Sequence, residues 1–90
     1  MKYLFIELKV RDGERVYTLR VLHTTCAKNI NFVAERYASS FFSGKSTRED
    51  DFWWFNYEVT ARVQFVTELT EKEYKIMSDI FDHRIDRPKI

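Results

Sequence analysis

The fifteen residues from Phe52 to Val66 carry the strongest structural signal in the chain. Their odd positions are all apolar or aromatic, whereas the even positions are polar through the middle of the stretch. A period of two is typical of a β-strand with one buried face. The stretch therefore predicts a strand that supplies one wall of the core, formed by Trp53, Phe55, Tyr57, Val59, Ala61, Val63 and Phe65.

A second alternation predicts a β-hairpin at the start of the chain. Residues 2–11 and 14–23 have the pattern of strands, and Asp12-Gly13 between them is a turn signal because both residues tolerate positive φ. A two-residue turn at this point pairs Arg11 with Glu14, and every further pair follows from that register. One face of the hairpin is then apolar, with Leu4, Ile6, Leu8, Val10, Tyr17, Leu19 and Val21.

Two helices are predicted from residues at helical spacing. The first runs roughly from Cys26 to Phe42, with Thr24 or Thr25 as its N-cap, and Gly44 fits its C-terminal stop. Its apolar face consists of Ile30, Val33, Ala34, Tyr37 and Phe41, and Phe32 and Phe42 flank that face. The polar residues 43–51 connect this helix to the long strand.

The second helix is predicted to begin at Thr70 and to fade near Asp82. Thr70 and Glu73 match the capping box, in which each side chain reaches the other residue's free N–H. The buried stripe of this helix is Tyr74, Met77, Ile80 and Phe81.

These elements predict an α+β two-layer sandwich with the order ββαβα. Its three-stranded antiparallel or mixed sheet has the strand order 2-1-3, and both helices cover one face. The alternative is ββαββα, in which residues 52–66 split into a hairpin. Only an odd-length loop would then keep the apolar set on one face, and no Gly marks such a loop. The single strand is preferred because it needs no turn.

Length and composition indicate one globular domain over residues 1–90, with an irregular tail at 83–90. The chain is 44% hydrophobic and its formal net charge is +1, so no global field attracts it to nucleic acid or to a membrane. Cys26 is the only cysteine, which is compatible with a reducing cytoplasm. No apolar run approaches the ~20 residues of a membrane span. We therefore expect a cytoplasmic protein without membrane contact.

The chemical motifs in the chain are weak, and we expect no enzyme activity, no cofactor and no metal site. Residues 43–47 end like a phosphate-binding loop, but position 39 is Ser39 where the motif needs Gly, and a helix precedes the segment where the motif needs a strand. His23 and Cys26 lie three residues apart at the predicted helix start, without a third catalytic partner. Cys26 is expected to be a small buried hydrophobe, and the acidic residues 49–51 a solvated loop.

The most informative surface is the sheet face opposite the predicted core. Aromatic rings with interleaved cations can bind single-stranded nucleic acid on an open sheet, but Glu7 and Glu58 are expected on the same face. An exposed aromatic patch there, formed by Tyr3, Phe5, Leu22, Phe52 and Trp54, instead favours contact with a protein partner or a second copy. We expect a non-enzymatic, self-associating protein-binding module, with single-stranded nucleic-acid binding as the alternative. The candidate binding residues are Trp54, Tyr3, Phe5, Arg20 and Arg62.

Overall fold

A computed structural model describes residues 1–40, 42, 45–55 and 58–82, with the backbone alone at 81–82. Its elements are β1 (Lys2–Asp12), β2 (Arg15–Thr25), α1 (Ile30–Ser40), β3 (Thr47–Glu49), β4 (Phe52–Trp54), β5 (Val59–Leu69) and α2 (Glu71–Asp82). The described strands form one antiparallel sheet in the order β2-β1-β5-β4-β3. The α+β class with one antiparallel sheet and two helices is confirmed. The three-stranded 2-1-3 sheet is wrong, because β4 and β3 extend the sheet beyond β5.

The predicted hairpin forms, but its register is shifted. Asp12 pairs with Arg15, so Gly13 and Glu14 are the central turn residues rather than Asp12 and Gly13. Gly13 has a φ of 64°, which matches a type II′ turn with Gly at the first central position. Because the shift is two residues, the parity of both strands is kept and the predicted apolar face survives.

The Phe52–Val66 stretch is not one strand. It is divided between β4 and β5, which pair through Trp53 with Ala61 and Trp54 with Thr60. Both partners of each pair have the same parity, so the odd-length loop of the alternative prediction keeps Trp53 on the face of Ala61. The Phe55 N–H donates to the Val59 carbonyl at 3.0 Å, and this hydrogen bond joins the two ends of that loop. Tyr57 lies outside the described residues.

The acidic segment at 49–51 is exposed to solvent, as predicted, but it forms a turn between two strands rather than a loop. Glu49 belongs to β3 and pairs with Phe52, while Asp50 and Asp51 make the exposed connection. Asp50 has a φ of 56°, a conformation that Asp tolerates better than most residues. The predicted helix stop at Gly44 lies outside the described residues.

A β-bulge in β5 changes the predicted wall of the core. Glu7 pairs with Phe65 and Leu8 with Val63, so Gln64 is the extra residue. A bulge of one residue exchanges the faces of all side chains beyond it. Phe65, predicted to be buried, is therefore 50% exposed on the other face, and Val66 packs against the core instead.

The core lies between the sheet and α1. Its fully buried residues are Leu4, Ile6, Leu8, Val10, Ala34, Ala38 and Ala61. The small side chains of Ala34 and Ala38 allow the helix to approach the sheet closely. The helix begins later than predicted because Asn29, not Thr24 or Thr25, is the cap: its Oδ1 accepts from the N–H groups of Asn31 and Phe32 at 3.0 and 3.2 Å. Phe41 lies outside the described residues.

The second helix packs on the opposite face of the sheet from α1. The Thr70–Glu73 capping box is confirmed, with reciprocal hydrogen bonds of 2.8 and 3.1 Å. The Tyr74 ring lies 4.9 Å from the ring of Tyr3, which points away from the core. The prediction that both helices cover one face is therefore wrong. Ile80 of the predicted stripe is 58% exposed.

Candidate functional site: the outer sheet face

The sheet face opposite α1, called here the outer face, carries an open pocket of about 380 Å³ near the β1–β2 turn. We call it the outer pocket. It is lined by Lys9, Arg11, Val16, Phe52, Trp54, Thr60 and Arg62. Phe52 and Val16 are 36% and 57% exposed.

Strand register builds this pocket from two neighbouring rows of side chains. The first row crosses four strands, because Trp54 pairs with Thr60, Thr60 with Arg11, and Arg11 with Val16. The second row contains Lys9 opposite Arg62, next to Phe52. Since alternate side chains of a strand share a face, the residues of both rows open to the same side.

The outer pocket combines cations with aromatic rings. The guanidinium of Arg11 lies 5.9 Å from the centre of the Trp54 ring, and that of Arg62 lies 5.7 Å from the centre of the Phe52 ring. Lys9 adds a third positive charge, and none of the described residues lining the pocket is an Asp or Glu. The pocket is therefore locally basic in a chain of almost balanced charge.

Two buried hydrogen-bond donors in this pocket lack a partner. Trp54 Nε1 and Arg62 Nε have no acceptor among the described residues. A buried donor left unsatisfied costs about 1–3 kcal/mol, and such groups are rare in folded proteins.

In the middle of the outer face, the Glu7 carboxylate is already paired within the protein. Glu7 accepts from Arg20 Nε at 2.9 Å and from Gln64 Nε2 at 2.8 Å, and Gln64 is the bulge residue of β5. Glu58 lies outside the strands, and its carbonyl accepts from the Gly13 N–H at 3.0 Å. The Glu7 carboxylate that weighed against nucleic acid is thus paired, and Glu58 is not one of the residues lining the outer pocket.

The structure brings only two of the five predicted binding residues together. Trp54 and Arg62 line the outer pocket, whereas Arg20 is paired with Glu7. Tyr3 contacts Tyr74, and Phe5 lies 6.3 Å from the Phe65 ring.

The predicted aromatic cluster is therefore divided. Phe5 is six positions from Arg11 along β1, which is about 20 Å at ~3.3 Å per residue. Tyr3, Phe5 and Leu22 lie toward one end of the outer face, and Phe52 and Trp54 toward the other.

Four residues of the outer pocket belong neither to the predicted aromatic patch nor to the predicted binding residues, namely Lys9, Arg11, Val16 and Thr60. Parity along each strand places all four on the outer face, so the signal was present. What the sequence lacked was the register, because the split of the long stretch and the pairing of Trp54 with Thr60 decide which residues meet.

The predicted position of Cys26 at the start of a helix is wrong, because α1 begins at Ile30. Cys26 is exposed, contrary to the prediction of a buried hydrophobe, and it precedes α1 by four residues. His23 is half-buried, and its ring lies edge-on to Tyr37 with centres 6.0 Å apart. Within the described residues, no group of three or more His, Cys, Asp or Glu side chains is placed to hold a metal ion.

Comparisons of the chain with protein-family models, with curated proteins and with solved structures find no match. Neither α1 nor α2, the helices in the described part of the chain, has the length and apolar character needed to cross a bilayer.

Proposed function

We propose that this chain is a non-enzymatic binding module that holds single-stranded nucleic acid in the outer pocket. The main support for the proposal is the lining of that pocket, which has a volume of about 380 Å³. Three cationic side chains and two aromatic rings line it, and none of its described lining residues is a carboxylate. Single strands are bound by grooves that combine positive charge with rings on which bases stack.

The cationic side chains support the same ligand class. Phosphate and base oxygens and nitrogens are hydrogen-bond acceptors, which fits the lining of the pocket by Lys9, Arg11 and Arg62. Bases also stack on guanidinium planes. The Arg11 and Arg62 groups above the rings are therefore part of the binding surface rather than an obstruction to it.

The test is a titration of fluorescein-labelled dT12 and rU12 oligonucleotides, followed by anisotropy between 50 and 300 mM salt, about the range over which phosphate contacts weaken strongly. Three phosphate contacts predict a slope of about −2 in log K against log salt, because each contact on a single strand contributes about −0.7. Arg11→Gln should reduce the slope by one contact, and Lys72→Gln on α2 should leave it unchanged. Equal slopes for the two variants would contradict the proposal.

Trp54 supplies a second arm of this test. Replacement by Leu removes the stacking surface and should weaken oligonucleotide binding by about 1–3 kcal/mol, whereas Trp54→Phe should retain most of it. If Leu and Phe weaken binding equally, stacking is not part of the recognition.

Contact with a protein partner or a second copy is the second candidate for this surface. It is favoured by the Arg11–Trp54 contact, because Arg and Trp dominate protein-binding hot spots. Sedimentation of the chain over a range of concentrations separates the candidates. A dimer that Trp54→Leu abolishes and that salt barely affects would support self-association instead.

We also propose a cytoplasmic location. The single exposed cysteine supports it, since this thiol has no partner for an intramolecular disulfide. Cell fractionation with an antibody to the chain tests this location.

A further inference from the structure

β2 forms an open edge of the sheet. It pairs with β1 alone in the described sheet, over eleven residues and without a register shift. It contains no Pro, Gly or Lys, although proteins commonly use Pro, Lys or a bulge to block an exposed edge. A long, regular edge of this kind is a template for a further strand.

The ladder alternation shows which groups of β2 are available. Asp12 and Arg15 close the hairpin, so the odd residues of β2 exchange hydrogen bonds with β1 and the even residues direct their N–H and C=O groups away from it. The even positions toward the end of the strand are Arg20, Leu22 and Thr24.

A second open pocket, also of about 380 Å³, lies beside this end of β2. We call it the edge groove. α1 packs mainly over β1 and β5, which leaves the groove between the helix and the edge strand. It is lined by His23, Thr25, Ala27, Phe32, Val33, Arg36, Tyr37 and Ser40, and Phe32 is 50% exposed.

We propose that β2 and the edge groove form a docking site for an extended, acidic segment of a partner protein. The segment adds to β2 as an antiparallel or parallel strand through main-chain hydrogen bonds. One apolar side chain enters the groove against Phe32 and Tyr37, and an adjacent Asp or Glu lies near Arg36. Strand addition beside a helix is a known mode of peptide recognition, in which pockets for alternate side chains give specificity.

The charges of β2 and of the edge groove favour an acidic partner segment over a second copy of the chain. No described residue of β2 or of the edge groove is an Asp or Glu, whereas Arg36 is basic and exposed. The β2 strand of a second copy carries no carboxylate that could pair with Arg36, and a partner segment with an Asp or Glu supplies one.

The experiment is selection from a phage-displayed library of random twelve-residue peptides against the immobilised chain, followed by anisotropy with synthetic copies of the enriched peptides. We expect sequences with one large apolar residue and one or more Asp or Glu at alternate positions. N-methylation of alternate peptide residues should weaken binding at least tenfold, because it removes main-chain donors and keeps the side chains.

Thr24→Pro tests the edge itself. Thr24 is exposed and its N–H points away from β1, so Pro removes no ladder hydrogen bond within the chain and is tolerated on an edge strand. We expect peptide binding to fall at least tenfold in Thr24→Pro and to be retained in Thr24→Ala, with similar thermal unfolding of both variants. Retained binding in a folded Thr24→Pro would overturn the proposal.

Arg36 tests the acidic character of the partner. Arg36→Glu should weaken the selected peptides at least tenfold and improve binding of the same peptides with Lys in place of Asp or Glu. Enrichment of no peptide, or of basic peptides only, would count against the proposal. A dimer in sedimentation that Thr24→Pro abolishes would assign the edge to a second copy and overturn the acidic partner.

Discussion

Trp53 and Trp54 are neighbours in β4, yet the two faces of the sheet give them opposite surroundings. The Trp53 indole N–H donates to Glu35 Oε1 at 2.9 Å, and the Arg48 guanidinium, itself 2.7 Å from that oxygen, lies 5.3 Å from the ring centre. Trp54 also has a guanidinium over its ring, that of Arg11, but its buried Nε1 has no acceptor among the described residues.

The two tryptophans differ in whether a carboxylate accepts a hydrogen bond from the indole N–H. On the inner face, Glu35 of α1 accepts from both the indole and the guanidinium, so the protein itself completes the cluster. In the outer pocket no described residue supplies an acceptor of that kind. The indole N–H is therefore satisfied by a charged acceptor on the inner face, and it has no described acceptor on the outer face.

The largest effect that separates the two tryptophans is expected from truncation to Ala. Trp53 packs against the core cluster, so Trp53→Ala should lower the free energy of unfolding by about 3–5 kcal/mol. Trp54→Ala should cost clearly less, because Trp54 borders an open pocket. Urea unfolding of the two variants measures both losses. Equal losses would mean that Trp54 is a core residue and that the two faces are not distinct.

Replacement by Phe gives a smaller and more specific difference. Trp53→Phe removes a hydrogen bond to a charged acceptor, worth about 1.5–3 kcal/mol. Trp54→Phe removes a buried donor that has no described partner, so its only costs are those of the smaller ring.

Both substitutions remove a similar volume, and the difference in unfolding free energy therefore isolates the hydrogen bond. A larger loss for Trp54→Phe would show that its indole N–H is satisfied within the protein, and the two tryptophans would then not differ in this respect.

Local signals predicted much of the fold. The capping box at Thr70 and the alternation of β1 and β2 depend on neighbours in sequence, and both are recovered in the structure. The hairpin turn is also present, but its central residues are Gly13 and Glu14 rather than Asp12 and Gly13. The helix start was missed because several polar residues precede the apolar face, and only the geometry shows that Asn29 rather than Thr25 caps it.

The features of the fold that depend on long-range strand pairing were not predicted. No residue type marks Gln64 as a bulge, yet this one insertion moves Phe65 to the outer face. Likewise, the odd-length loop before Val59 has no Gly, so the preference for one long strand followed from the absence of a turn signal.

The candidate site was predicted in part for the same reason. Parity placed Trp54 and Arg62 on the outer face, but parity does not give distance along a strand. It therefore grouped them with Tyr3 and Phe5, which the register places far away.

The smallest expected effect concerns the end of the outer face that α2 covers. The pKa of Glu73 lies below its ordinary value of 4.5, because the carboxylate accepts from the Thr70 backbone N–H and is further bonded to the Thr70 side chain. A carboxyl group with a lowered folded-state pKa stabilises the fold above its unfolded pKa, and this contribution is lost as the pH falls through the folded value. The melting temperature of the wild type should therefore fall as the pH is lowered below about 4.5.

Glu73→Gln distinguishes the cap from general acid effects. Gln can make the same capping hydrogen bond without titrating, so this variant should show a flatter decline of melting temperature below pH 4.5 than the wild type. Glu71→Gln is the matched control, because Glu71 lies two residues earlier and pairs only with Lys75, at 3.6 Å, among the described residues. This variant should retain most of the wild-type slope. Identical slopes for wild type and Glu73→Gln would show that the start of α2 does not depend on the ionised carboxylate.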